Sequence, residues 1–278
     1  IQGETGSGKE LVARALHDLS PRAQHPFIAI NAGAIPHELA STELFGHERG
    51  AFTSAHARRE GAFVSANKGT LFLDEIAELS LDIQVKLLRV LEQREVCPLG
   101  RTVGTKIDVR LVCATWADLN KRAFDGRFRD DLIHRLSVGL IRVPNLAERP
   151  SDIASLAAHF LTECANDLGT KRLTSAALAF LTAQRWPGNV RQLRNAISRA
   201  AIHAIGDDIT LGDVTAACAM LSPHSTRMTP QAARQLVENC SGRVATAARV
   251  CGVPRSTFRG WLEADDQNEP PTTRPVNP

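Results

Sequence analysis

The sequence predicts an α/β domain with a mostly parallel sheet, then a helical subdomain and a small all-α unit. Three observations carry this. From Ile1 to about Leu146, short aliphatic or β-branched runs alternate with helix-spaced patterns, as in a sheet covered by helices. Beyond Pro144 and Pro150 the strand signal vanishes. Gly3-Glu4-Thr5-Gly6-Ser7-Gly8-Lys9 fits the GxxxxGK phosphate loop, which joins a strand to a helix.

In chain order, Ile1-Gln2 is an abrupt beginning for a phosphate loop, which normally follows a complete buried strand; the expectation is a fragment without its natural N-terminus. Glu10–His17 supplies the helix that the loop opens. Phe27–Ile30, Thr70–Leu73 and Val109–Cys113 read as strands. Leu79, Ile83, Leu87, Val90 and Leu91 recur at helical spacing after Ser80, so 80–94 should be an amphipathic helix packed on the sheet. Ser151–Leu168, Thr174–Gln184 and Asn189–Ile205 read as helices with Ser, Thr or Asn at their starts. The expected boundaries are 1–147 for the α/β part, 148–221 for the helical part, 222–228 for a linker, 229–264 for the C-terminal unit and 265–278 for a disordered polar tail.

Composition narrows the classes. The chain is 43% hydrophobic and 23% charged, ordinary for a soluble globular protein, and no apolar run approaches the ~18 residues that span a bilayer. Six scattered cysteines without a CxxC pair fit reduced thiols in a cytoplasmic protein and imply no metal cage. A net charge of +3 does not by itself argue for nucleic-acid binding.

The phosphate loop wraps phosphates with backbone N–H groups, and Lys9 reaches the β- and γ-phosphates. Glu10 stands where Ser or Thr usually helps to hold Mg²⁺, which shifts that task towards Asp74. Leu71-Phe72-Leu73-Asp74-Glu75 puts two carboxylates at the C-terminal end of a strand, where open α/β sheets bind ligands. Asp74 would organise Mg²⁺ and Glu75 would polarise the attacking water. Arg129 and Arg135 could be surface ion-pair residues or arginine fingers for a neighbouring subunit's γ-phosphate, and spacing does not choose. In the C-terminal unit, Gln231–Asn239, Val244–Val250 and Pro254–Leu262 read as three helices with Gly-containing turns, a pattern suggesting helix-turn-helix. The unit is locally basic, and Arg243, Arg255, Ser256, Thr257 and Arg259 could reach a major groove and its phosphates.

Several motifs in order then resemble one family. Glu43–Ala55 (ELFGHERGAFTSA), Gly69–Glu75 (GTLFLDE), Phe128–Leu132 (FRDDL) and Trp186–Arg191 (WPGNVR) are similar to the AAA+ domain of bacterial enhancer-binding proteins, which activate sigma-54 RNA polymerase. Glu10 fits too, since that family uses GKE. The resemblance implies an AAA+ P-loop ATPase with a helical lid, ATP and Mg²⁺ as cofactors, and a ring, typically a hexamer. Gly3, Glu4, Thr5, Gly6, Ser7, Gly8, Lys9 and Glu10 would bind ATP, with Arg191 as the nucleotide-sensing lid arginine. Asn31 would be the switch that restrains Glu75, and Arg129 and Arg135 would act in trans. Gly50, Ala51, Phe52, Thr53, Ser54 and Ala55 match the loop that contacts sigma-54, and a Fis-type module at 229–264 would bind upstream double-stranded DNA. Two positions depart from the pattern: Ser54 replaces a glycine, and Trp116 stands where the family usually has an Asn sensor. They motivate the alternative of a regulator that keeps the fold but has lost sigma-54 engagement.

Overall fold

The computed structural model describes residues 1–51 and 57–221, with single positions at 237, 244, 245, 258 and 262. The elements of the first part are α1 (Lys9–Asp18), β1 (Phe27–Asn31), α2 (His37–Phe45), β2 (Gly46–His47), β3 (Arg59–Glu60), α3 (Ala62–Ser65) and β4 (Thr70–Asp74). They continue with α4 (Leu81–Gln93), β5 (Glu95–Val96), β6 (Thr105–Lys106), β7 (Arg110–Cys113), α5 (Leu119–Phe124) and α6 (Asp130–Leu136). The later elements are α7 (Asp152–Leu168), β8 (Arg172–Leu173), α8 (Ser175–Ala183), α9 (Asn189–His203), β9 (Asp208–Ile209) and α10 (Leu211–Leu221).

The central sheet runs β1-β4-β7, all parallel, with Asn31 opposite Asp74 and Leu73 opposite Cys113. Gln2 extends it, making parallel bridges to Thr115 on one side and Arg142 on the other. The Gly3 N–H donates to the Thr115 carbonyl, and the Val143 N–H to the Gln2 carbonyl. The backbone entering the phosphate loop is therefore held on both flanks, however short the stretch before it.

Alternation along β4 divides the core between the sheet's two faces. Leu71 and Leu73 pack with Phe45, Phe63, Ile83, Leu87 and Leu132, whereas Phe72 packs with Ala13, Val112 and Ala114. The first face is covered by α2, α3, α4 and α6 and the second by α1. Helix α4 forms as its spacing predicts, burying Ile83, Leu87 and Val90; each such side chain contributes about 1.5–3 kcal/mol on leaving water. Ser80 occupies its N-cap position without a side-chain capping bond.

The chain divides into two compact units. The first comprises Ile1–Phe160 and Ala179–Arg194, and the second Leu161–Leu178 with the chain from Asn195. Within the second, a short parallel ladder pairs Arg172 with Asp208 and Leu173 with Ile209. Its buried side chains include Ala177, Ile197, Ala200, Ala201, Val214 and Ala217. Asp213 accepts hydrogen bonds from the Thr210 N–H and hydroxyl, fixing the first turn of α10. No described helix is long and apolar enough to cross a membrane.

Candidate nucleotide-binding site

The phosphate loop turns on two left-handed glycines, Gly6 (φ 76°) and Gly8 (φ 100°), a conformation that costs any other residue strain. A Cβ at Gly8 would meet no atom within 4 Å, whereas one at Gly6 would strike the Gly188 carbonyl at 2.5 Å. Gly8 thus faces open space and Gly6 a close backbone neighbour. Lys9 is buried, and its ammonium donates to the Gly3 (3.0 Å) and Glu4 (3.1 Å) carbonyls.

β4 delivers the carboxylates. Asp74 accepts the Glu75 N–H (3.0 Å), and Glu75 itself sits at φ 53°, ψ 46°, a left-handed conformation of order 1–2 kcal/mol above the usual one. That conformation persists because its surroundings over-determine it. The Ile76 N–H donates to the Ala114 carbonyl (3.0 Å), and the Glu78 N–H to the Glu75 carbonyl (2.9 Å). Burial raises the Glu75 pKa, and the neighbouring Asp74 charge pushes the same way; Lys9 and a hydrogen bond from the Trp116 backbone oppose them. Glu75 Oε2 and Ser7 Oγ are buried without a protein hydrogen-bond partner. Such atoms fit a site whose polar groups are completed by nucleotide and its attacking water.

The other predicted residues distribute as follows. Asn31 ends β1 beside Asp74, but its carbonyl oxygen accepts the Gly33 N–H (2.9 Å). Arg191 is exposed next to the loop, and its N–H donates to the Gly6 carbonyl (3.4 Å). Arg129, half-exposed, grips Asp131 through two bonds (2.6 and 3.0 Å), and Arg135 donates to the Leu91 carbonyl (3.2 Å). Gly50 (φ 79°) and Ala51 lie in the connection between antiparallel β2 and β3, while Phe52, Thr53, Ser54 and Ala55 fall outside the described residues. So do Arg243, Arg255, Ser256, Thr257 and Arg259. Trp116 is 54% exposed and walls a cleft of about 300 Å³ with Gly3, Glu4, Arg142 and Asn145. A larger cavity, about 840 Å³, follows β7 and residues 136–141 but holds neither the phosphate loop nor the carboxylate pair.

Two side chains that sequence reasoning did not place here also touch the loop. Asn189, fully buried, donates to Glu4 Oε2 (3.0 Å) and the Thr5 carbonyl (3.2 Å) while accepting the Leu146 N–H (2.7 Å). Arg149 donates to the Ser7 carbonyl (2.7 Å).

Residues 1–142 match the sigma-54 interaction domain, and residues 147–231 match the AAA+ ATPase lid domain. The chain belongs to the sigma-54 interaction domain family. Over 269 residues it is 46% identical to the C4-dicarboxylate transport transcriptional regulatory protein DctD of Pseudomonas aeruginosa, covering 94% of this chain and 58% of that protein. It is 49% identical over 216 residues to the DNA-binding transcriptional regulator NtrC of Escherichia coli, 77% of this chain and 46% of that one. The chain thus spans about half the length of these curated relatives. Its fold matches NtrX from Brucella abortus, solved in complex with ADP, at a TM-score of 0.70 and 34% identity over 94% of this chain and 62% of that chain. NtrX in complex with ATP matches at the same TM-score. The architecture is the α/β AAA+ fold, a parallel sheet followed by a helical lid.

Proposed function

We propose that the chain is the ATP-hydrolysing core of a sigma-54-dependent transcription activator. The observation that carries this is the meeting of a buried Lys9 in a left-handed glycine loop with the Asp74-Glu75 pair at the end of β4, Glu75 keeping one buried oxygen without a protein partner. The nucleotide complexes of NtrX support the same use of the fold. ATP would lie on residues 3–10 with Arg191 at its edge, and Asp74 would hold Mg²⁺. Glu75 would polarise the attacking water, with Asn31 modulating it. Arg129 and Arg135 would enter a neighbouring subunit's site in a ring, probed below. Residues 50–55, in the stretch of sequence between β2 and β3, would engage sigma-54 RNA polymerase, and 229–264 would bind upstream DNA as a helix-turn-helix in the cytoplasm. The domain boundaries expected from the sequence go with this reading.

The test measures ATP hydrolysis and ATP-dependent open-complex formation by sigma-54 polymerase with the same preparation. The expected result is both activities, with hydrolysis lost in Glu75→Gln by roughly 10²–10⁴-fold and nucleotide binding retained. ATPase without open complexes would instead support a family regulator uncoupled from sigma-54. Recovery in Ser54→Gly would then locate the defect in the loop. Trp116, an indole without a polar acceptor at the end of β7, is the structural observation on that side.

A further inference from the structure

We propose that Asn189 and Arg149 are positioning residues for the phosphate loop, aiming its N–H groups at nucleotide by holding its carbonyls from behind. The proposal rests on the nucleotide-binding reading above. Every peptide bond among the described residues is trans, so the C=O of one residue and the N–H of the next point in opposite directions. Whatever fixes a loop carbonyl therefore also aims the following N–H.

The carbonyls from Gly3 to Ser7 are all engaged. Those of Gly3 and Glu4 accept from Lys9, that of Thr5 from Asn189, that of Gly6 from the Arg191 N–H and that of Ser7 from Arg149. The last three donors come from residues 149 and 189–191, far along the chain. They orient the N–H groups of Gly6, Ser7 and Gly8, of which that of Ser7 turns to the Glu4 carbonyl (3.2 Å). A second tie reinforces the first, since Asn189 also bonds the Glu4 carboxylate, and its own carbonyl oxygen anchors it to Leu146. Asn189 adopts φ 50°, a left-handed conformation that Asn and Asp tolerate better than other side chains. This explains an amide in place of a longer donor. The amide, itself fully buried, acts as donor to the loop and acceptor from the chain behind it.

The test uses the full chain, a fluorescent ADP analogue to measure Kd, and thermal unfolding without nucleotide. Asn189→Asp keeps the acceptor for Leu146 and the tolerated backbone, but sets a carboxylate against Glu4 and the Thr5 carbonyl. Nucleotide Kd is expected to rise on the order of tenfold, the effect of losing a hydrogen bond to a charged group. Adding Glu4→Gln to this variant supplies a donor from the other side, so the affinity lost with the Glu4 tie should return and that lost with the Thr5 tie should not. Unchanged affinity in Asn189→Asp, or a loss that Glu4→Gln leaves uncorrected, would overturn the proposal. Should Asn189→Asp unfold, Arg149→Gln removes the Ser7 tie independently. It is expected to weaken binding several-fold, and wild-type affinity there would count against the idea equally. Wild-type protein that binds no nucleotide would instead sink the reading beneath it.

Discussion

The phosphate-loop cradle and the arginine-bearing edge of α6 are built on opposite terms. In the cradle, groups from four distant stretches of one chain come together: Lys9 and Asn189, both buried, and the Asp74-Glu75 strand end and Arg149, both partly buried. At the edge, Arg129 pairs with Asp131 two residues away, in an exposed pair of the kind that salt screens, and Arg135 donates to an exposed carbonyl. The first region is held together by ties within one chain. The second holds its arginines through local, solvent-facing bonds. The difference teaches that the fold itself fixes the phosphate loop, whereas α6 presents two arginines at the surface, as the proposed ring requires.

The widest gap between the regions should open in a mixing experiment. Arg129→Ala should lower ATP hydrolysis by roughly 10³–10⁵-fold, the range an arginine finger supplies, while leaving nucleotide Kd near wild type. Mixed with Glu75→Gln protein, which is also inactive, part of the activity should return, because an interface can then pair an intact Glu75 with an intact Arg129. Two inactive proteins that stay inactive when mixed, with rings still formed by light scattering, would break the comparison.

A smaller effect links edge to core. Gln84 is fully buried in α4, yet it is polar: its amide donates to the Leu79 (2.8 Å) and Arg127 (3.1 Å) carbonyls, and its oxygen accepts the Arg129 N–H (3.0 Å). This one side chain sets the backbone from which Arg129 projects. Gln84→Ala removes the partner of three backbone groups, of which the Leu79 carbonyl is in a buried bond, and should cost about 1–3 kcal/mol for each that stays buried and unpaired, read by urea unfolding. ATPase should fall more than nucleotide affinity. Equal losses of both would reduce Gln84 to a fold residue and leave the edge independent of the core.

How much of this was legible beforehand divides along the same line. The phosphate loop, the Asp74-Glu75 strand end and the three sheet strands were readable because each is a local pattern of glycine, charge or β-branched run. The strand and helix ends differed by a residue or two, as at Asn31, which prolongs β1. Helix α2 escaped because its buried positions, Ala40, Thr42, Leu44 and Phe45, form no regular apolar stripe. The two-residue ladders β2–β3 and β5–β6 are too short to show alternation. Gln84 looked like a polar position on an amphipathic helix, and Asn189 like a helix cap. Beyond Leu79, the partners of Gln84 lie 43 and 45 residues away and those of Asn189 43–185, out of reach of any periodicity. The resemblance supplied roles for Asn31, Arg129, Arg135 and Arg191 that spacing alone left open.

The smallest expected effect concerns the stability of the cradle itself. Burial and the Asp74 charge raise the folded-state pKa of Glu75 above its ordinary 4.5. An acid with a raised folded pKa binds more protons when folded than when unfolded, so stability declines as pH rises through the interval between the two values. The ionised form of Glu75 is thus the less favoured one in the folded chain. Glu75→Gln removes the titration while keeping the shape. The variant should therefore be more stable than wild type at pH 7, and the gain should shrink as pH falls towards and below 4.5. Thermal unfolding of both proteins across that range, without nucleotide, reads the difference. A gain that stays constant with pH would mean that the fold does not disfavour ionised Glu75, and the contrast with the α6 edge would sharpen accordingly.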